Sequence, residues 1–262
     1  MAVKEILFYI LFFLSGLFFG SFLNLLIYKI PRKLPINKPI SKCTNCGRNI
    51  PFYRVLPIFS FAICRGKCRN CGKNITFLTF INPIVEILTA LLFLGCYVFF
   101  GFRLYGLLII NGLILSALLI LISFIDLRFK IIPNTVVLPF TIVGIIINVL
   151  IYVFTVPLKW WMPLAFSAGA FAFMLIIHFI YPQGMGMGDV KFSLMLGAFL
   201  VKSVIPGLFL GFLTGAIIGL ILIISKKKGL KQSIPFGPFI SIGSAIVLFW
   251  GTDILRWYLH FF

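Results

Sequence analysis

Two of the five acidic residues in this chain lie where a pair of carboxyl groups can do chemistry. Asp126 ends an apolar stretch, and Asp189 follows the glycines Gly186 and Gly188. When two carboxyl groups face one another, only one ionises readily, so one residue type supplies both an acid and a base. The ionised group can deprotonate a water that attacks a peptide carbonyl, while its protonated partner stabilises the oxyanion. Which aspartate plays which part is a property of the pair, and the sequence leaves it open.

Four of the six cysteines form two matched pairs. Cys43 and Cys46 are followed by Gly-Arg-Asn-Ile, and Cys68 and Cys71 are followed by Gly-Lys-Asn-Ile. Each Cys-x-x-Cys-Gly turn directs two thiolates at one point, and two such turns supply the tetrahedral sulfur site that zinc prefers. The alternative is a pair of disulfides, which a reducing compartment disfavours. The repeat therefore predicts a structural zinc site.

The elements that must position these residues are apolar. Hydrophobic residues make up 61% of the 262-residue chain, which is too much to bury in a water-soluble globule of this size. Most of the apolar segments approach the roughly 20 residues that cross a bilayer, so we predict an all-α polytopic membrane protein with eight transmembrane helices. A count of seven is the alternative, because the segment 190–204 is short and its boundary with the next segment lies at Pro206. The segments are 6–28, 81–100, 104–125, 134–154, 162–180, 190–204, 206–224 and 239–256.

The 23 lysine and arginine residues lie mostly on one side of these predicted spans. If the N-terminus is outside, most of them fall in cytoplasmic loops, as the positive-inside rule requires. Topology therefore accounts for the net charge of +18 without a nucleic-acid partner, and membrane lipid is the expected surrounding. We predict a multi-pass protein of the inner (plasma) membrane, with both aspartates and the cysteines toward the cytoplasm.

The long hydrophilic stretch divides the chain into three predicted domains. Residues 1–28 form the first transmembrane helix, and residues 29–79 form a small cytoplasmic zinc-binding domain with four cysteine ligands. Residues 80–262 form a seven-helix membrane domain. So small an insertion has few core-forming helices, which makes a structural metal more plausible there than a catalytic one.

The glycines before Asp189 interrupt helical structure at the predicted membrane edge. Irregular backbone survives at that depth only when it is buried in protein or lines a wet cavity. Ionisable residues there are costly and usually functional, which favours a site that receives an extended substrate strand. The alternative is a simple turn, with Asp126 and Asp189 acting as helix caps that pair with Arg128 or Lys191.

Six stretches of the sequence combine into one pattern. This pattern resembles the bacterial type IV prepilin peptidases, a family of GxGD aspartyl proteases, from end to end. The stretches are Gly20-Ser21-Phe22-Leu23-Asn24, the paired cysteine turns, Asn82-Pro83-Ile84-Val85-Glu86-Ile87-Leu88-Thr89-Ala90, Ile125-Asp126-Leu127 with Ile132-Pro133, Gly186-Met187-Gly188-Asp189-Val190-Lys191 and Ile234-Pro235-Phe236-Gly237-Pro238.

The resemblance implies an enzyme with two activities. It would cleave the short basic leader of type IV prepilins or pseudopilins at the cytoplasmic face, then methylate the new N-terminal amine with S-adenosylmethionine. Asp126 and Asp189 would be the catalytic pair, and Gly186 and Gly188 would form the substrate loop. The methyl-transfer assignment comes from the resemblance alone, through the intact cysteine domain and Glu86.

Two other functions agree with parts of the sequence. A proton-coupled transporter would use the two membrane aspartates as a relay and the glycine-rich break as an ion site. That function predicts inverted repeats, which the sequence lacks, and it assigns no role to the paired cysteines. A related peptidase without methyl transfer is the other alternative, and the four cysteines argue against it.

Overall fold

The computed structural model describes residues 2–35, 46, 71–72, 83–101, 106–182, 184–225 and 235–260. Within these ranges all regular structure is helical, which confirms the predicted all-α class. Seven helical runs there are long and apolar enough to cross a membrane, so the chain is a multi-pass membrane protein. Nearly all of the predicted zinc-binding insertion, residues 29–79, lies outside the described residues.

Eight α-helices carry the described part of the chain. A π-helical turn, Tyr97–Gly101, continues the second helix, and short 3₁₀ turns lie at Pro157–Lys159 and Val201–Ser203. The helices are α1 (Ala2–Lys29), α2 (Pro83–Cys96), α3 (Gly106–Phe129), α4 (Asn134–Thr155), α5 (Met162–Ile180), α6 (Met187–Leu200), α7 (Val204–Ile224) and α8 (Gly237–His260).

The count of spans differs from the predicted eight at one place. The segments predicted at 190–204 and 206–224 form a single helical run, Met187–Leu222, that is broken at Val201. The first piece, α6, has 14 residues, or about 21 Å at 1.5 Å per residue, which is shorter than the roughly 30 Å of a hydrocarbon core. The sequence could not show this, because the break requires Val201 to adopt a φ of +50°, which β-branched residues rarely take.

The contacts of the chain divide it into two compact units, residues 1–98 and 99–262. In the first unit α1 and α2 pack along one another through small residues. A Cβ added at Gly16 would lie 2.5 Å from Cα of Ala90, and one added at Gly20 would lie 2.6 Å from Cα of Glu86. Small residues at a helix interface allow this close approach in a membrane. The domain boundaries predicted from the sequence stay a prediction.

In the second unit the short helix α6 is the most enclosed element. It packs against α4, α5, α7 and α8, and most of its side chains are buried. Gly197 lies against the backbone of α5, where an added Cβ would be 2.5 Å from the carbonyl oxygen of Phe166. Ser167 of α5 donates a hydrogen bond to the carbonyl oxygen of Leu194 at 2.7 Å, which ties the two helices together.

Buried amide side chains donate hydrogen bonds to the carbonyl groups at the C-terminal end of α6. The break at Val201 removes helical donors from the last carbonyls, which would otherwise be unpaired in an apolar interior. Asn148 of α4 donates to the carbonyl oxygen of Ala198 at 3.0 Å, and Asn111 of α3 donates to that of Phe199 at 3.2 Å. The two amides also bond to one another at 2.9 Å. This network holds α3, α4 and α6 together at the end of α6 that lies away from Asp189.

Candidate active site

Asp126 lies near the end of α3 and is almost completely buried, with 5% of its surface exposed. Its Oδ2 accepts a hydrogen bond of 2.9 Å from the backbone N–H of Gly237, the first residue of α8. The N-terminus of a helix presents unpaired N–H groups and the positive end of the helix dipole. The fold therefore places the Asp126 carboxyl group where a negative charge is stabilised.

The absence of a side chain at Gly237 is what allows this contact. A Cβ added there would lie 2.7 Å from Oδ2 of Asp126 and 3.2 Å from its Cγ. In the sequence Gly237 belongs to the motif Ile234-Pro235-Phe236-Gly237-Pro238, which by itself indicates no role for this residue. Its role depends on a contact between residues 111 positions apart, which no local pattern contains.

Asp189 occupies the first turn of α6 and is also buried, with 8% exposed. Its Oδ2 accepts a hydrogen bond of 3.1 Å from the backbone N–H of Gly186, which has an extended conformation and caps the helix. Part of the capping alternative is therefore correct, since Asp189 does cap its own helix. The capping alternative also paired the aspartates with Arg128 or Lys191. In the structure the ammonium group of Lys191 donates a hydrogen bond to Oδ1 of Asn134 at 3.2 Å.

The ends of three helices bring the two aspartates together. Asp126 belongs to the last turns of α3 and contacts the start of α8, while Asp189 belongs to the start of α6. The connection after α3 contacts α6 directly, because a Cβ added at Gly188 would lie 3.0 Å from Cβ of Ile132. The two carboxyl groups are near enough to repel each other when both are charged. The site thus contains two buried carboxyl groups, each bonded to a backbone N–H at a helix N-terminus.

The glycine-rich loop is held in place by a histidine. Nδ1 of His178, near the end of α5, lies 2.8 Å from the carbonyl oxygen of Met185. Met185 itself is buried, so this contact fixes the loop one residue before Gly186. In the sequence His178 lies within an apolar helical segment, where a packed histidine is the ordinary expectation, and no motif there predicts its contact with the loop. The one sequence feature that could have indicated this contact is the position of His178, one and a half turns before the glycine-rich loop.

Glu86 lies in the first unit, on the face of α2 that packs against α1, and is fully buried. Its Oε1 accepts hydrogen bonds from Oγ of Ser21 at 3.2 Å and from Nδ2 of Asn24 at 3.4 Å. Its Oε2 has no hydrogen-bond partner among the residues that the structure describes. Gly20 provides the room for this carboxyl group. Two motifs that are distant in sequence therefore form one polar cluster.

Only half of the predicted zinc ligands can be located. Cys43 and Cys68 lie outside the described residues, whereas Cys46 and Cys71 each lie in a turn. Gly72, which follows Cys71, has a φ of +69°, the left-handed conformation that a tight Cys-x-x-Cys-Gly turn requires. In the ranges that the structure describes, no three His, Cys, Asp or Glu side chains gather as a metal site needs. The zinc site stays a prediction.

Comparison with known proteins gives one consistent family. Residues 14–100 match the model of the bacterial peptidase A24 N-terminal domain, and residues 113–224 match that of the type IV leader peptidase family. No solved structure matches this chain.

Three curated relatives are all named prepilin leader peptidase/N-methyltransferase. The protein from Bacillus subtilis is 31% identical over 84% of this chain and 85% of the relative. The protein from Aeromonas salmonicida is 32% identical over 84% of this chain and 74% of the relative. The protein from Xanthomonas campestris is 29% identical over 82% of this chain and 74% of the relative.

Proposed function

Because this chain belongs to the type IV leader peptidase family, we propose that it is a membrane aspartyl endopeptidase that cleaves the basic leader of type IV prepilins or pseudopilins and then methylates the new N-terminal residue. The observation that carries the peptidase half is that Asp126 and Asp189, each buried and bonded to a backbone N–H at a helix N-terminus, lie near enough for their charges to interact. The name shared by the relatives supports the second activity. No observation favours the transporter alternative.

The two aspartates act as one acid–base pair. Repulsion between them favours a single shared negative charge, and the two helix N-termini stabilise that charge in either position. The ionised carboxyl group takes a proton from water, and the resulting hydroxide attacks the scissile carbonyl carbon. The protonated carboxyl group donates a hydrogen bond to the oxyanion, and the departing amine then receives a proton from the pair.

The glycine-rich loop admits the substrate. Gly186 has φ −76° and ψ 151°, so its backbone is extended, and a Cβ there would lie 3.5 Å from Oδ2 of Asp189. With hydrogen atoms at positions 186 and 188, these two residues place no side chain between the loop backbone and the carboxyl group. An extended substrate strand can therefore approach Asp189 closely.

The membrane orientation follows from charge. We place the cysteine domain and both aspartates on the cytoplasmic side of the inner membrane, because that arrangement puts most lysine and arginine residues inside. A basic leader would remain on the same side before cleavage. The substrates are therefore prepilins or pseudopilins whose leaders are exposed to the cytoplasm.

The cysteine turns fit a structural zinc ion. Four thiolates in two matched turns supply the donor set and number that tetrahedral zinc needs, and the left-handed Gly72 suits such a turn. We propose Cys43, Cys46, Cys68 and Cys71 as the ligands. Zinc binding would supply folding energy to a segment with little core of its own.

Glu86 fits a role in methyl transfer. S-adenosylmethionine, when bound, supplies the methyl group. Oε2 of Glu86 is a buried oxygen without a hydrogen-bond partner among the described residues, and such an atom is costly to leave unpaired. Ser21 and Asn24 orient the carboxyl group through Oε1, which leaves Oε2 available to an N–H donor or a cation.

Replacing either aspartate tests the peptidase pair. Asp126→Asn and Asp189→Asn keep the side-chain shape but remove the ionisable group, so each is expected to lower the cleavage rate at least about 100-fold. The measurement is mass spectrometry of a prepilin-like substrate incubated with the purified full-length protein in detergent. Asp253→Asn is the matched control, because Asp253 is an exposed acid of α8, and it should cleave like the wild type. Cleavage that survives either active-site change would refute the pair.

Gly237→Ala tests the position of the carboxyl group separately from its chemistry. The added methyl group would displace Oδ2 of Asp126, and a displacement of about 1 Å costs on the order of 100-fold in rate. The carboxyl group can rotate away, so the melting temperature should change little. Gly106→Ala is the control, since Gly106 also begins a helix and its added Cβ would contact nothing within 4 Å. Equal rates for the two variants would contradict the proposed geometry.

Metal analysis tests the cysteine site. The purified wild type is expected to contain one zinc ion per chain by inductively coupled plasma mass spectrometry, as a single four-thiolate site requires. Cys46→Ser and Cys71→Ser should each lose most of that zinc, whereas Cys96→Ser, in α2, should retain it. Wild-type protein without zinc, or zinc retained in both variants, would rule the site out.

Glu86→Gln tests the methyl-transfer role. With S-adenosylmethionine present, the wild type should release a product that carries one extra methyl group. The Gln variant should cleave at the wild-type rate but leave the product unmethylated, because the carboxyl group is lost from the first unit only. Glu5→Gln, an exposed acid of α1, is the control. Normal methylation by Glu86→Gln would remove Glu86 from the reaction.

A further inference from the structure

A groove of about 650 Å³ runs between α5 and α7. Every residue that lines it is apolar, including the large side chains of Trp161, Phe166 and Phe173 on one wall. Leu208 and Phe212 belong to the opposite wall. The volume lies within the roughly 300–1,000 Å³ range of sites that hold small molecules.

The groove lies at the end of the second unit away from the aspartates. It extends along α5 only from Trp161 to Phe173, whereas the loop that leads to Asp189 follows the other end of α5 at Ile180. On the α7 side its outer wall includes Ile205, which is 61% exposed, and Phe209, which is 66% exposed. The groove therefore opens toward lipid and is not part of the candidate active site.

Two lysines flank the end of this groove. Lys159 lies two residues before Trp161 in one 3₁₀ turn, and Lys202 lies two residues before Val204 in another. The turn that carries Lys202 packs against α5, and Gly197, just before that turn, lies against Phe166 near the start of α5. Both turns therefore lie beside the N-terminal end of that helix. Both lysines are exposed, and neither ammonium group has a hydrogen bond or ion pair with any residue that the structure describes. Two unpaired cations thus stand at the mouth of an apolar channel.

We propose that the groove binds one acyl chain of an anionic phospholipid, whose phosphate lies between Lys159 and Lys202. In a bilayer the groove gains no selectivity from hydrophobicity, since lipid tails are equally apolar outside it. Selectivity must come from the cations, and each lysine near the membrane surface contributes about 1 kcal/mol toward an anionic headgroup, or about fivefold in affinity. Trp160 and Trp161 add the aromatic side chains typical of the membrane–water interface.

The site differs from an ordinary lipid-exposed surface because it complements both parts of a phospholipid. The apolar groove suits an acyl chain, and the two lysines suit a phosphate. An apolar helix from another protein would fill the groove but would leave the two cations without a partner. A phospholipid satisfies both, because its acyl chain and phosphate are joined at the membrane surface where the lysines lie. Lipid binding at this groove does not depend on the proposed peptidase activity.

Native mass spectrometry of the purified full-length protein tests the proposal. The protein is titrated in detergent with phosphatidylglycerol or with phosphatidylcholine that has the same acyl chains. The wild type is expected to bind one phosphatidylglycerol more tightly than phosphatidylcholine. Lys159→Gln and Lys202→Gln should each weaken phosphatidylglycerol binding about fivefold and leave phosphatidylcholine binding unchanged.

Two further variants separate the groove from general charge and from misfolding. Gly169→Leu fills the groove, because a Cβ at Gly169 contacts nothing within 4 Å, and it should remove the tight lipid without lowering the melting temperature. Arg256→Gln, a charge loss on exposed residue 256 of α8, should bind phosphatidylglycerol like the wild type.

Three results would overturn the proposal. The first is unchanged phosphatidylglycerol binding in both Lys159→Gln and Lys202→Gln. The second is an equal loss of binding in Arg256→Gln, which would indicate attraction to net charge alone. The third is binding of an apolar helical peptide that Gly169→Leu weakens while phosphatidylglycerol binding stays the same, since a helix would then be the occupant.

Discussion

The exclusion of water from the bilayer core is the constraint on which the rest of this structure depends. Backbone polar groups there must find partners within the protein, so helix ends become the costly points of the fold. The second unit meets that requirement with side chains. Carboxyl groups accept hydrogen bonds at the N-termini of α6 and α8, and buried amides donate to the last carbonyls of α6. The groups that complete the helices at one end are also the groups proposed to cleave the substrate.

The short helix α6 shows how this constraint fixes the site. With only 14 residues it is enclosed by α4, α5, α7 and α8. Gly197 brings it against the α5 backbone, and Ser193 donates a hydrogen bond to the carbonyl oxygen of Ala170 on that helix. Interlocked packing of that kind leaves little freedom to shift along the helix axis. Asp189 is therefore held at a set depth beside Asp126, and the break at Val201 returns the chain to the bilayer as α7. A proposed catalytic group on so enclosed a helix is positioned before any substrate arrives.

The first unit, in its two helices, also pairs a buried polar group with side chains of the protein. Gly20, Ser21 and Asn24 on α1 enclose Glu86 of α2. Ser21 and Asn24 satisfy one oxygen of its carboxyl group, and the other oxygen has no partner among the residues that the structure describes. A buried oxygen without a partner is destabilising unless a ligand completes it, which is why Glu86 fits a binding role better than a purely structural one. The proposed lipid site follows the same reasoning at the surface, where the ammonium groups of Lys159 and Lys202 have no partner in the described part of the chain beside an apolar groove.

The sequence by itself determined the class of the protein, because apolar composition, loop charge and a few short motifs are local properties of the chain that do not depend on tertiary contacts. It predicted the helical membrane fold and singled out Asp126, Asp189 and Glu86, although their roles stay proposals. Only the tertiary structure decided which helix ends meet, that Gly237 donates to Asp126, that Ser21 and Asn24 hold Glu86, and that α6 is too short to span alone. These features depend on contacts between residues far apart in the chain and on the conformation of Val201, and neither leaves a periodic or compositional signal in one sequence.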